Sequence, residues 1–110
     1  MALFEKMNAA IAKNDTDAYL ALYDDEAVFV RHQSGTTMTK AEFAEMVRRL
    51  AASDDAEIGQ RRCLYENGDI LVVHSVNGYP DGTREAVLMA CTLKDGKITR
   101  VETGATPLKK

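Results

Sequence analysis

The chain has 110 residues, enough for one domain around one core, and its 45% hydrophobic and 28% charged content is that of a soluble globular protein. A net charge of −3 argues against nucleic acid as a partner, because sequence-independent binding to phosphate needs a basic face. No apolar run approaches the roughly 20 residues of a membrane span, and the opening Met-Ala-Leu-Phe-Glu-Lys-Met lacks a signal-peptide pattern, so no membrane partner is expected and the cytoplasm is the default location.

Leu3, Met7, Ala10 and Ile11 form one apolar stripe and predict a first helix over about residues 2 to 13. Asn14-Asp15 breaks it, and Asp15 can N-cap a short second helix whose apolar face is Ala18, Tyr19, Leu22 and Tyr23. Asp24-Asp25-Glu26 is read as the end of that helix, and Ala27 to Arg31 as a first strand. Gln33 to Thr37 reads as a polar loop. Thr39 and Glu42 fit a capping box, with Met38 and Phe43 placed for a hydrophobic staple. Phe43, Met46, Val47 and Leu50 carry a third helix to about Ala52, and Ser53-Asp54-Asp55 stops it.

Four β-type runs follow, the first from Ala56 to Tyr65 and the rest between Asp69 and Gly104. They are separated by Asn67-Gly68, Pro80-Asp81-Gly82 and Asp95-Gly96, which supply tight turns. They predict an antiparallel meander, and the segregation of helices from strands predicts an α+β domain over residues 1–105 with a tail at 106–110. In the run after Asp69, Val72, His74 and Val76 alternate with Leu71, Val73 and Ser75. In the next, Val87, Met89 and Cys91 alternate with Ala86, Leu88 and Ala90. Both faces are mainly apolar, so both need cover. Three helices cover one face, and a second copy of the chain is the simplest cover for the other, which predicts a homodimer through the sheet.

The segment Asn14 to Phe29, Gly35 followed by the helix at Thr39, and Leu93 to Glu102 together resemble the nuclear-transport-factor-2-like superfamily, in its SnoaL-like and ketosteroid-isomerase-like branch. The resemblance covers roughly residues 3 to 105. It implies a cone-shaped curved antiparallel sheet packed against three N-terminal helices, a pocket for a small-molecule ligand inside the cone, and pairing through the sheet. It does not imply a reaction, because the fold hosts many. Where the ketosteroid isomerases carry a carboxylate base, an oxyanion tyrosine and a protonated aspartate, this chain has Arg31, Met7 and Met89, so steroid isomerisation by that route is not expected.

On this alignment the pocket face holds Phe29, Arg31, Val72, His74, Val76, Glu85, Val87, Met89, Cys91, Val101, Thr103 and Ala105. His74, between valines, is the expected acid or base. The alternative is a buried histidine satisfied by Tyr65 or Thr103. Arg31 is the expected holder of a carboxylate or enolate, unless Glu85 or Glu102 neutralises it. His32 is placed at the rim, Tyr65 and Tyr79 at the pocket mouth, and Glu85 is read as solvated more readily than as a base. Glu102 reads as a surface partner for Arg100. Arg61-Arg62 reads as solvated surface, and Cys63 and Cys91 as small core residues, too few for a disulfide framework. His32 and His74 lie 42 residues apart without metal-site spacing, and no Gly-rich phosphate loop or nucleophile elbow appears, so no cofactor is expected. The functional expectation is a domain binding a small apolar carbonyl or carboxylate ligand, with isomerase, lyase or cyclase chemistry as its enzymatic form. The competing expectation is a non-catalytic association module with a side-chain-filled pocket.

Overall fold

The computed structural model describes residues 2–53 and 57–108, with residues 57–60 described by backbone alone. Helix α1 (Leu3–Ala12) buries Leu3, Met7 and Ala10, three members of the expected stripe. Ala2 at its N-cap has no side chain that can accept the unpaired amides of the first turn. Glu66, 63 residues away, supplies the missing acceptor. Its carboxylate takes the N–H of Leu3 at 2.9 Å and that of Phe4 at 3.3 Å, where the helix dipole also favours negative charge. Glu66→Ala is expected to lower stability by about 1 kcal/mol, seen as a lower urea midpoint at unchanged slope. An unchanged midpoint would mean that water replaces the carboxylate without loss.

Helix α2 (Thr16–Leu20) is capped by Asp15, which accepts the Ala18 N–H at 3.1 Å. Strand β1 (Tyr23–Arg31) starts four residues earlier than the sequence suggested, so the acidic Asp24-Asp25-Glu26 lies inside a strand. Strand β2 (Thr36–Thr39) corrects the expected loop. Thr36 pairs with Arg31 and Thr37 with Val30, and Gly35 takes the positive φ of +68° that the connection requires. Helix α3 (Lys40–Ala51) opens on the expected capping box, with Thr39 N–H on Glu42 at 3.0 Å and Glu42 N–H on the Thr39 hydroxyl at 3.3 Å. Met38 and Phe43 both pack against the core margin. The expected helix stop at Asp54-Asp55 and the strand start at Ala56 lie outside the described residues.

Strands β3 (Glu57–Glu66), β4 (Ile70–Gly78), β5 (Arg84–Lys94) and β6 (Lys97–Pro107) form the meander. Strand β6 takes in Thr106 and Pro107, which the sequence reading left to the tail, while Lys109-Lys110 lies outside the described residues. The sheet has six strands in the order β2-β1-β6-β5-β4-β3 and is curved and open. It is antiparallel except where β1 runs parallel to β6, a correction to the all-antiparallel expectation.

One face of the sheet is set by the pairs Leu71–Cys91, Val73–Met89 and Ser75–Val87, continued by Met89–Thr103 and Cys91–Val101. Leu71, Val73, Cys91 and Val101 on this face join Leu3, Met7, Tyr23 and Phe29 in one buried cluster. Val72, His74 and Val76 therefore belong to the opposite face, paired with Ala90, Leu88 and Ala86. This reverses the phase expected for β4. Both of its alternating sets are apolar, so hydrophobicity does not distinguish them, and only pairing does.

Strand β3 is irregular between Cys63 and Tyr65. Tyr65 pairs with Val72 and Cys63 with Val73, which leaves Leu64 as the extra residue of a bulge. The bulge resets the alternation. Arg61 falls opposite Ser75 on the helix-covered face, and Arg62 falls opposite His74 on the other.

Candidate functional site

A cavity of about 670 Å³ lies between α3, the α1–α2 junction and the inner face of the sheet. Helix α3 contributes Phe43, Met46, Val47 and Leu50 to its wall, but none of its residues is fully buried. The helix spans a space and is not pressed onto the strands. Phe29 stacks on Phe43 with centroids 3.8 Å apart and planes within 12°, which fastens α3 to β1 at one side of that space. Most of the wall is apolar, as ligand pockets are.

Arg61 enters from β3. Its Nε donates to Asn8 Oδ1 at 3.0 Å. Its Nη2 is buried and has no hydrogen-bond partner among the described residues, and no described carboxylate lies within 4.0 Å of it. Its charge is felt by the tyrosine pair at the α2–β1 end, where the Tyr23 hydroxyl donates to the Tyr19 hydroxyl at 2.7 Å. Tyr19 lines the cavity. Burial raises its pKa, opposed by the Tyr23 hydrogen bond and the Arg61 charge. Tyr19 thus stays protonated and has its own hydrogen to give.

A second polar group lies on the wall around Tyr79. The Tyr79 hydroxyl donates to Glu85 Oε1 at 2.5 Å. Burial, aided by that bond to Glu85, pushes the Tyr79 pKa up to about 12, while the Asn77 side chain and the Arg31 charge oppose the rise. Tyr79 is held over Glu85 by its turn, in which its N–H meets the Thr83 carbonyl at 3.0 Å. Arg31 lines this region and has no described carboxylate within 4.0 Å, so the expected neutralisation by Glu85 or Glu102 is not made.

Of the residues expected in the pocket, Phe29, Arg31, Glu85, Val87, Met89, Val101 and Thr103 do line the cavity. His74, Val72 and Val76 do not, because the phase of β4 turns them to the other face. Tyr65 follows them there through its pairing with Val72 and is 57% exposed. His32 lies past the end of β1 on the outer side, 3.0 Å from Glu102. His32, then Arg100, hold the Glu102 carboxyl below its usual range, and the expected Arg100–Glu102 contact is present at 3.4 Å. Cys91 is in the core beside the cavity and not on its wall.

Arg61, Asn77, Ser75 and Tyr19 line the cavity and were not singled out from sequence. Arg61 was read as surface because nothing in the run Glu57 to Tyr65 announces the bulge. Ser75 and Asn77 follow from the phase of β4 once Ser75 is paired with Val87.

Burial pushes the Cys91 thiol up to about 12, whereas Cys63 is exposed, against the expectation that both are core residues. The thiolate is the reacting form. One equivalent of thiol per chain is therefore expected to react with Ellman's reagent in the native state and two in denaturant. Two fast equivalents in the native protein would show that the β5 core opens readily. Among the described residues no group of three or more potential ligands could hold a metal, and no helix is long and apolar enough to cross a membrane.

A family model for the SnoaL-like domain matches residues 4–101. No curated protein matches the chain in sequence. Among solved structures, a Kribbella flavida protein described as a candidate ketosteroid isomerase is 16% identical. It superposes with a TM-score of 0.78 over 98% of this chain and 78% of its own. An NTF2-like protein of unknown function from Burkholderia xenovorans is 17% identical with a TM-score of 0.72, over 97% of this chain and 82% of its own. TerC, co-crystallised with polyporic acid, is 20% identical with a TM-score of 0.70, over 94% of this chain and 88% of its own.

Proposed function

The chain belongs to the SnoaL-like domain family of the NTF2-like superfamily, and from that premise we propose that it binds a small, mainly apolar ligand through a carbonyl or carboxylate oxygen held by Arg61. The observation that carries this reading is the buried Arg61 Nη2, a cationic donor on a cavity wall with no partner among the described residues. An unmet buried donor costs about 1–3 kcal/mol, and an anionic oxygen in the cavity removes that cost. Tyr19 adds a neutral donor, and Arg31 adds a second cation toward the Tyr79 end.

In its enzymatic form the site supports proton transfer next to a carbonyl, as in isomerases, lyases and cyclases. Glu85 is the carboxylate placed to take the proton, with Tyr79 holding one of its oxygens, and the Arg61 and Tyr19 donors stabilise the enolate. This replaces His74 in the role of acid or base and moves the anion holder from Arg31 to Arg61. The cavity's open volume and the unneutralised Arg31 favour a ligand site over a side-chain-filled association module. TerC, whose crystals contain polyporic acid, is a structural precedent for a ligand-binding protein of this fold.

The test is thermal melting against a panel of ring ketones, hydroxy acids and aromatic carboxylates. A ligand at 100 times its Kd stabilises by about 2.7 kcal/mol, a rise on the order of 10 °C for a domain of this size. No shift across a broad panel would overturn the reading.

The outer face of the sheet supports self-association. Tyr65, Ile70 and Leu88 are 44–57% exposed there, around Val72 and Val76, and a second copy of the same face is their cover. Light scattering is expected to give twice the chain mass for wild type and the single-chain mass for Leu88→Glu. A wild-type monomer at micromolar concentration would exclude the pairing. Cytoplasmic residence belongs to the same proposal, since an exposed Cys63 thiol suits a reducing compartment.

A further inference from the structure

Arg61 Nη2 has a counterpart of opposite kind. Asn77 Oδ1 is also buried, also on the cavity side, and also without a hydrogen-bond partner among the described residues. One atom is a donor and the other an acceptor. Register places them close together: Arg61 pairs with Ser75, and Asn77 is two residues further along the same face of β4. Both project from the β3–β4 part of the wall.

Asn77 shares its stretch of the wall with Tyr79 and Glu85. Tyr79 gives its hydroxyl proton to Glu85, so the Tyr79 oxygen is left to accept. The Asn77 side chain acts against the rise of the Tyr79 pKa by hydrogen bonding. The amide oxygen is the Asn77 atom that stands buried without a partner among the described residues. Glu85, paired with Asn77 across β4 and β5, closes the run Asn77–Tyr79–Glu85. A buried amide oxygen without a partner is an unmet acceptor and carries a desolvation cost of its own.

We propose that the ligand carries a hydrogen-bond donor, a hydroxyl or an N–H, within a few bonds of its carbonyl or carboxylate oxygen, and that Asn77 Oδ1 selects for that donor while Arg61 holds the oxygen. The class is hydroxy acids and hydroxy ketones on an apolar body. This rests on the anion-holding role of Arg61 and adds a specificity residue to it. An apolar pocket discriminates weakly between a ligand and its hydroxylated analogue, whereas a site that must hydrogen-bond a hydroxyl rejects the analogue lacking it.

The experiment is calorimetric titration with 3-phenylpropanoate, its 2-hydroxy and 3-hydroxy derivatives, and the 2-methoxy and 3-methoxy ethers as acceptor-only controls. The proteins are wild type, Asn77→Leu, Asn77→Ala and Arg61→Met, each with its melting curve. The expected result is that one hydroxy acid binds wild type at least roughly tenfold tighter than 3-phenylpropanoate. Its methyl ether shows no gain, and both Asn77 variants bind hydroxy acid and parent alike. Two substitutions of different size keep the test valid if one does not fold. Equal binding of parent and hydroxy acids to wild type overturns the inference and leaves the Arg61 reading standing, as does a gain that survives at Asn77→Leu or Asn77→Ala. Failure of every acid to bind wild type, or equal binding of the parent to wild type and Arg61→Met, overturns the Arg61 reading and this inference with it.

Discussion

Arg61→Met is expected to raise the melting temperature and, in the same protein, to weaken carboxylate binding about 100-fold. The two effects have one cause. In the free protein Arg61 is half-buried, with Nη2 buried and unmet and no described carboxylate to neutralise it. Removing it relieves a cost of about 1–3 kcal/mol, less about 1 kcal/mol for the lost bond to Asn8. The net gain is about 1 kcal/mol, or roughly 5 °C in a domain of this size. With a ligand bound, the same group is one partner of a desolvated charge pair, whose truncation costs about 2–5 kcal/mol. Arg61→Lys separates charge from geometry, because it keeps the cation and loses the planar fork, and it should fall between the two. Melting curves with and without ligand decide the matter. A variant that melts lower than wild type and still binds would make Arg61 a structural residue.

Phe29→Ala is expected to have the largest effect on stability, about 3–5 kcal/mol. That is a fall of roughly 12–25 °C if a kilocalorie is worth 4–5 °C at this size. Phe29 is 2% exposed, stacked on Phe43 and 5.2 Å from the Tyr23 ring. It borders the cavity as well as the core, so its loss enlarges a space that the neighbours do not refill. Leu50→Ala is the informative contrast. Leu50 lies on α3 over the cavity, where the helix buries no residue completely, and its truncation should cost well under half as much. Equal costs at the two positions would mean that α3 is packed onto the sheet and that the cavity is not a stable feature. Urea midpoints at constant slope give both values.

The sequence was informative wherever a local signal had one structural solution. The Leu3–Met7–Ala10 stripe, the Asp15 cap and the Thr39–Glu42 capping box each appeared where expected. So did the turns at Asn67-Gly68 and Asp95-Gly96 that separate the last strands. Strand β2 was missed because Thr36 to Thr39 is short and its last residue is also a helix cap, so the cap signal masked the β-branched one. Roughly half of the site was legible. Strands β1 and β6 contributed the residues expected of them, and β5 all but Cys91. Strand β4 did not, because Val72, Val73 and Val76 leave its two faces equally apolar. The parallel pairing of β1 with β6 has no local signal, since it joins segments about 70 residues apart. The least legible residue was the most informative one: Arg61, and not Arg62, faces inward because Leu64 is left unpaired and the alternation is reset there.

That extra residue has an evolutionary consequence. Strand β3 is at the edge of the sheet, where insertions and deletions are most easily tolerated, and each one ordinarily exchanges the inner and outer sides of everything upstream. Losing Leu64 would smooth the bulge and leave Arg61 opposite Ser75. Gaining a residue there, with the Glu66–Leu71 hairpin end held, would slide Arg62 into that place. Because the two arginines are adjacent, either change delivers a guanidinium to the cavity. With two arginines in tandem, a one-residue change in the length of this edge still leaves a guanidinium opposite Ser75.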